Sequence, residues 1–194
     1  MTSYPKSSSH KRSKEHGLAS YYYLVASLPA LGYDKQPSLS VEGFLSQCKA
    51  NMGPRDYHLI ECAISGESVG NSFLLRYQRF CQMVKSELSE QRARKLSLPL
   101  EKYKNNGPKS YVISDAVRMA ISNENVLSGE MILIVLKWKY LDEMCAQHVF
   151  DIEALLSYAL KLSLITRKNL FSQEAGNVEF RRLFSNLQSD ISSI

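Results

Sequence analysis

Histidine and carboxylate side chains could do acid–base or metal chemistry, and their spacing in this sequence predicts neither. The four histidines are scattered along the chain: His10, His16, His58 and His148. His58 and His148 stand at predicted helix ends, where we expect neither to have a carboxylate or a second histidine beside it at metal-ligand spacing. The adjacent acids Asp142 and Glu143 lie on the flank of a predicted helix, which is typical of solvated charges. We therefore predict no catalytic residue, no metal ligand and no cofactor site.

Nucleophiles and phosphate-binding loops are not indicated either. The stretch GESVGNS (66–72) contains glycines, but no Gly-Lys-Ser/Thr follows it and no strand precedes it, so we predict a plain loop. No serine has the context of a nucleophile elbow. The cysteines are too far apart for a zinc knuckle or a redox motif and have apolar neighbours, so we predict reduced, buried thiols, as in a cytoplasmic protein: Cys48, Cys62, Cys81 and Cys145. The prediction is a protein that is not itself an enzyme.

Basic residues offer the one chemical feature that could bind a partner. The formal net charge is +5, and part of it lies in a lysine-rich segment at residues 1–17. A second group lies between positions 92 and 109, against the single acid Glu101: Arg92, Arg94, Lys95, Lys102, Lys104 and Lys109. These side chains could contact nucleic-acid phosphates without sequence specificity, or an acidic protein surface, or serve solubility. No recognised nucleic-acid module frames them, so a basic helical nucleic-acid-binding protein is the alternative and not the first hypothesis.

Helices must position these residues, because apolar side chains recur at helical spacing along most of the chain. With 194 residues and 44% apolar content, the chain can bury the core of one domain. We predict an all-α fold, a compact bundle of about six to seven helices. Ser40, Asn71, Ser114 and Asp151 are predicted N-caps, and Pro54 is predicted in a first turn. The clearest predicted helix lies at residues 72–95, and further helices are predicted at 126–146, 152–170 and 174–190.

One predicted helix is apolar all round in its first half. The run MILIVL (131–136) has no polar side, so we expect protein on every side of it. The second half keeps a single apolar seam that includes Trp138 and Leu141. This helix is therefore expected near the centre of the bundle.

The start of the domain is the ambiguous part of the sequence. Residues 1–18 are polar and basic, and we predict a disordered tail there, followed by a single helical domain at 19–194. The next stretch, YYYLVASLPAL (21–31), could be a secretory signal, a membrane anchor, a β-strand or a first helix. It is broken by Ser27 and Pro29 and is about half the 20 residues that a transmembrane helix needs, so we expect the first element of the domain. Strand and helix both stay open at this point.

Three stretches together carry a family resemblance. They are YYYLVASLPAL with PRDY (54–57) after it, LKWKYLDEM (136–144), and DIEALLSYALKLSLITR (151–167) leading into EAGNVEF (174–180). They resemble the family of small helical proteins encoded in bacterial V-type ATPase operons, which often opens with Tyr-Tyr-Tyr-Leu-Val-Ala-Ser-Leu-Pro. Later motif positions are matched by these residues: Trp138, Leu141, Asp142, Glu143, Tyr158, Ala159, Leu160, Leu162 and Arg167.

The resemblance implies a non-catalytic role in an ion-translocating complex. Proteins of this family look like counterparts of the V-type ATPase C or d subunit, a helical socket that couples the central stalk to the membrane rotor ring. The implied partners are stalk and rotor-ring subunits. The implied location is the cytoplasm, peripheral on the inner membrane through the ATPase and without a membrane span of its own. That subunit also opens with a tyrosine-rich helix, so a helix at residues 21–31 would favour the analogy and a strand would weaken it.

Seven residues are candidate partner contacts by residue type. Aromatic and arginine side chains dominate protein interfaces. The aromatic candidates are Tyr21, Tyr22, Tyr23 and Trp138, for which burial in the core is an equally open alternative. The basic candidates are Arg92, Arg94 and Lys95.

Overall fold

The computed structural model describes residues 21–67, 69–104, 107–171 and 173–192, and all regular structure in these ranges is helical. The all-α prediction is confirmed, with eight α-helices in the described ranges where six to seven were predicted. The predicted tail at 1–18 lies outside the described residues. The helices are α1 (21–27), α2 (Val41–Asn51), α3 (Pro54–Ser65), α4 (Ser72–Lys95), α5 (Tyr111–Ser122), α6 (Val126–Cys145), α7 (Ile152–Leu170) and α8 (Gln173–Ser192), with a 3-10 turn at Leu100–Lys102.

Side-chain caps fix where several helices begin. The Ser40 hydroxyl accepts from the Gly43 N–H at 3.1 Å, and the Asn71 side chain accepts from the first turn of α4 at 2.9 and 3.1 Å. Asp151 accepts from the Ala154 N–H at 3.0 Å at the start of α7. Pro54 occupies the first turn of α3. Each cap satisfies backbone donors that have no partner within the helix, and these four predictions are confirmed.

The predicted cap at Ser114 is wrong. α5 begins one turn earlier, at Tyr111, and Ser114 lies inside it with its N–H bonded to the Ser110 carbonyl at 2.9 Å. The physical reason is packing. Ile113 and Val117 are four residues apart on one helical face, and both are buried. A helix beginning at Ser114 would leave Ile113 outside the turn that carries it into the core.

The opening stretch is helical, which decides between the two structures left open by the sequence. Residues 21–27 form α1, and the helix ends before Leu28, the residue that precedes Pro29. A residue before proline is pushed out of the α region, so this end was predictable. Leu24 is buried in the main core and fixes α1 to the bundle.

α7 lies at the centre of the fold. Leu155, Leu156 and Leu162 are fully buried, and α7 packs against α2, α3 and α6. α6 fits beside it as predicted, since no residue of the MILIVL run is exposed. Among the described helices, none is both long enough and apolar enough to cross a bilayer.

α5 and α6 approach each other unusually closely. Gly129 on α6 lies against the backbone of Ala120 on α5, where an added Cβ would stand 2.5 Å from the Ala120 carbonyl oxygen. Small residues at a crossing allow two helix backbones to come together in this way. The contact lies beside a second core cluster that includes Val84, Val117 and Leu133.

Candidate partner-binding site

An exposed aromatic patch lies at one end of the bundle, where α1 meets the turn between α6 and α7. We define the aromatic patch as Tyr22, Tyr23, Val149 and Phe150, which are 49%, 72%, 59% and 39% exposed. The Tyr22 ring lies 4.6 Å from the Phe150 ring and 5.5 Å from the Tyr23 ring, between centroids. Rings in contact with one another and open to solvent can bury a large apolar area against a partner.

Tyr21, the third candidate tyrosine, faces inward and holds α1 in place. Its hydroxyl donates a hydrogen bond to the Asp56 carboxylate on α3, and its ring packs against the main core. Burial raises the pKa of the Tyr21 hydroxyl well above its ordinary value, and the bond to Asp56 raises it further. Tyr21 therefore stays protonated and fixes the orientation from which Tyr22 and Tyr23 point outward.

A histidine and two carboxylates meet beside the aromatic patch. His148 Nδ1 lies 2.5 Å from an oxygen of Asp151, and donor atoms of His148, Asp151 and Glu153 all lie within 4.8 Å of one another. The expectation that His148 has no carboxylate beside it was wrong. The His-x-x-Asp spacing at the start of α7 was the signal for this contact. These three side chains could ligate a cation. Both carboxylate oxygens of Asp151 are already in contact with the protein, however, one with the Ala154 N–H and the other with His148.

Trp138 is half-buried on the flank of α6 and away from the aromatic patch. Its ring meets Tyr33 edge to face at 6.0 Å, and Lys161 Nζ lies over it at 5.4 Å from the centroid. Lys161 in turn donates to Asp142 at 2.6 Å. Neighbours of this kind are typical of a side chain that helps to join helices.

The three basic candidates lie in the last turn of α4, and two of them have structural partners. Arg94 donates to Glu90 at 2.5 Å, and Lys95 donates to the Ile121 carbonyl at the end of α5 at 2.8 Å. Cations there also oppose the negative end of the α4 dipole. Arg92 is exposed and lines a cavity between α4, α5 and α6.

The aromatic and basic candidates lie at opposite ends of α6. The aromatic patch follows the carboxyl end of this helix, and the basic residues lie by its amino end. A helix of 20 residues is about 30 Å long at 1.5 Å per residue. The seven candidate partner contacts therefore do not form one surface. The aromatic and the basic groups are separated by the length of α6, and Trp138 lies between them.

Comparisons with known proteins give one match. Residues 114–191 match a family described as "Protein of unknown function (DUF2764)". The match runs from within α5 through α6 and α7 to residue 191 of α8, covers less than half of the chain, and does not reach α1. No curated protein and no solved structure matches the chain significantly.

Proposed function

We propose that this protein is a non-catalytic accessory or central-stalk subunit of a V-type ATPase, similar to the C or d subunit. Its partners would be stalk and rotor-ring subunits, and it would reach the membrane through the ring. The observation that carries the proposal is the helical opening, because the tyrosine-led stretch is the most specific part of the resemblance. Its outward face supplies half of the aromatic patch.

A stalk subunit has to transmit force through stiff packing and hold its partners through a fixed surface. The aromatic patch is a fixed surface of this kind. Tyr22 and Tyr23 stand on a helix anchored by Leu24 in the core and by the Tyr21 bond to Asp56. Such anchoring lowers the conformational entropy that is lost on binding, so exposed rings held in this way are favourable hot spots.

The basic residues have a secondary place in this proposal. Arg92 and Arg94 lie about 30 Å from the aromatic patch, judged by the length of α6, so one small interface would not include both groups. Exposed charges of this kind raise association rates with an acidic surface and contribute less to affinity. We therefore assign the main contact to the aromatic patch.

The test is a pull-down of the tagged full-length chain from native membranes, at low and at high salt, with identification by mass spectrometry. We expect the ATPase catalytic and stalk subunits to be recovered at both salt concentrations. The variant Tyr22→Ser/Tyr23→Ser should lose them. The matched control is Tyr103→Ser/Tyr111→Ser, because these tyrosines are 41% and 83% exposed and lie outside the aromatic patch.

Two results would contradict the proposal. One is the absence of ATPase subunits at both salt concentrations with the unaltered chain. The other is nucleic acid recovered at low salt and lost at high salt without ATPase subunits, which would favour the basic nucleic-acid-binding alternative. Equal loss with both tyrosine variants would remove the aromatic patch from the contact.

A further inference from the structure

α8 exposes an apolar stripe that the rest of the described chain does not cover. Phe180, Leu183 and Phe184 are 68%, 50% and 57% exposed. At 100° per residue they fall within about 100° of the helix circumference, and the two phenylalanine rings stack at 6.2 Å. A helix with such a stripe gains most of its stability from a surface that covers it.

A groove with matching properties lies between α4, α5 and α6. Its volume is about 420 Å³, and Leu88, Ile121 and Leu133 are among the apolar residues that line it. Leu96 and Val126 also line it and are 68% and 84% exposed. The groove is large enough for more than one side chain, and helix-in-groove recognition inserts side chains of one helical face into such a site.

The groove has charges of opposite sign on its two sides. Arg92 and Lys95 come from α4, and Lys95 donates to the Ile121 carbonyl and not to a carboxylate. Glu124 lies on the α5–α6 side, where Glu130 is already held by Arg167 at 2.8 Å. The side chains of Arg92 and Glu124 have no hydrogen bond or ion pair with another residue of the described ranges. The matching helix would carry an acid on one flank of its stripe and a base on the other.

α8 has this charge arrangement. Glu179 and Arg181 directly precede and follow Phe180, so they lie about 100° to either side of it. Glu179 pairs with Arg182 at 2.5 Å, and both side chains are more than half exposed. An exposed ion pair of this kind contributes little free energy, so Glu179 can leave Arg182 and pair with another cation. Glu179 can therefore face Arg92 while Arg181 faces Glu124.

We propose that the groove of one chain receives α8 of a second copy, with the exchange made reciprocally in a two-fold dimer. Residues 176–186 of α8 are all exposed, so this part of the helix lies neither in the groove of its own chain nor against another described helix of that chain. Arg167, three residues from the end of α7, contacts Glu130 at the edge of the groove. α8 of each chain therefore leaves next to the groove, which suits a reciprocal exchange. The inference is independent of the ATPase proposal.

The first experiment is sedimentation of the full chain between about 1 and 100 µM, which detects a dimer with a dissociation constant in the micromolar range. We expect a concentration-dependent dimer. Phe180→Ser/Phe184→Ser removes the stripe, and Arg92→Glu/Leu96→Ser alters the groove at exposed positions. Each should weaken dimerisation at least tenfold. The matched controls are Val178→Ser on the opposite face of α8 and Leu100→Ser/Lys102→Glu, which repeats the same type of change outside the groove. Both should dimerise normally.

The second experiment mixes the two weakened variants, one of them fluorescently labelled. The stripe variant keeps an intact groove and the groove variant keeps an intact α8, so each mixed pair has one intact contact. The mixture should therefore form a heterodimer at concentrations where each variant alone stays monomeric. A chain that stays monomeric at all concentrations would overturn the proposal, as would a dimer that neither variant weakens. In the variant Phe184→Cys/Leu96→Cys, a crosslink between these two positions within a single chain would assign the groove to α8 of the same copy and would also overturn the proposal.

Discussion

Gly129 gives the sharpest test of how the bundle is packed. In Gly129→Ala, the new Cβ would stand 2.5 Å from the Ala120 carbonyl oxygen, whereas real Cβ atoms essentially never approach another atom within 3.0 Å. The obstructing atom belongs to the backbone of α5 and cannot rotate away. The two helices would have to separate by at least about half an ångström.

Two effects of opposite sign decide the size of the change in stability. Alanine in place of glycine inside a helix is favourable by about 1 kcal/mol. Extra volume at a closely packed crossing is unfavourable by about 1–3 kcal/mol, because neighbouring side chains leave their best packing. Here Val117 and Leu133 belong to the cluster beside the crossing and are buried. Because the obstructing atom is backbone, we expect a cost in the upper part of this range, about 2–3 kcal/mol. The free energy of unfolding should therefore fall by about 1–2 kcal/mol after the gain from alanine is subtracted.

Urea unfolding followed by circular dichroism measures this difference, and the melting temperature should fall by about 2–8 °C. The matched control is Gly176→Ala on α8, where an added Cβ meets nothing within 4 Å. That variant should be as stable as the unaltered chain, or more stable by up to about 1 kcal/mol. If Gly129→Ala is as stable as the control, the close approach of α5 and α6 is refuted.

Three further predictions concern single side chains. Burial raises the pKa of Cys48 from 9.0 to about 12, so between these pH values the thiol loses its proton more readily in the unfolded chain. The free energy of unfolding measured in urea should therefore fall over this range, by up to about 1.4 kcal/mol per pH unit, and Cys48→Ala should flatten the dependence. Asn71→Ala should lower the free energy of unfolding by about 1 kcal/mol, and Ser110→Ala, which removes no side-chain capping bond, should leave it unchanged in the same assay. Tyr21→Phe should lower the free energy of unfolding by about 1 kcal/mol, because the hydrogen bond to Asp56 on α3 is lost, whereas Tyr23→Phe at an exposed ring should leave it unchanged. Equal effects of the two variants would contradict the anchoring of α1.

Local chemistry predicted much of the fold. The start of α4 follows from the Asn71 cap, and most of its length follows from an apolar stripe that runs from Phe73 to Leu88. Pro54 and Asp151 likewise set the starts of α3 and α7 through backbone groups a few residues away. Features of this kind depend on neighbours in sequence, so they can be read without knowing the fold.

The remaining features depend on contacts between distant parts of the chain. α1 is too short and too rich in tyrosine for its pattern to select a helix, and Leu24 and Tyr21 hold it through residues on other helices. The start of α5 follows from the burial of Ile113, which outweighs the capping preference of Ser114. The inward direction of Tyr21 and the outward direction of Tyr22 follow from the same packing, so residue type alone could not separate anchor from contact.

The position of the aromatic patch at the far end of α6 from the groove has a consequence for affinity. A dimer joined through the groove would leave both aromatic patches free, one at each outer end. Such a dimer is bivalent, and against a partner with repeated subunits its avidity can exceed the affinity of one patch by about 10²–10⁴, provided that the geometry lets both ends bind. The same chain would then bind weakly below its dimerisation concentration and tightly above it.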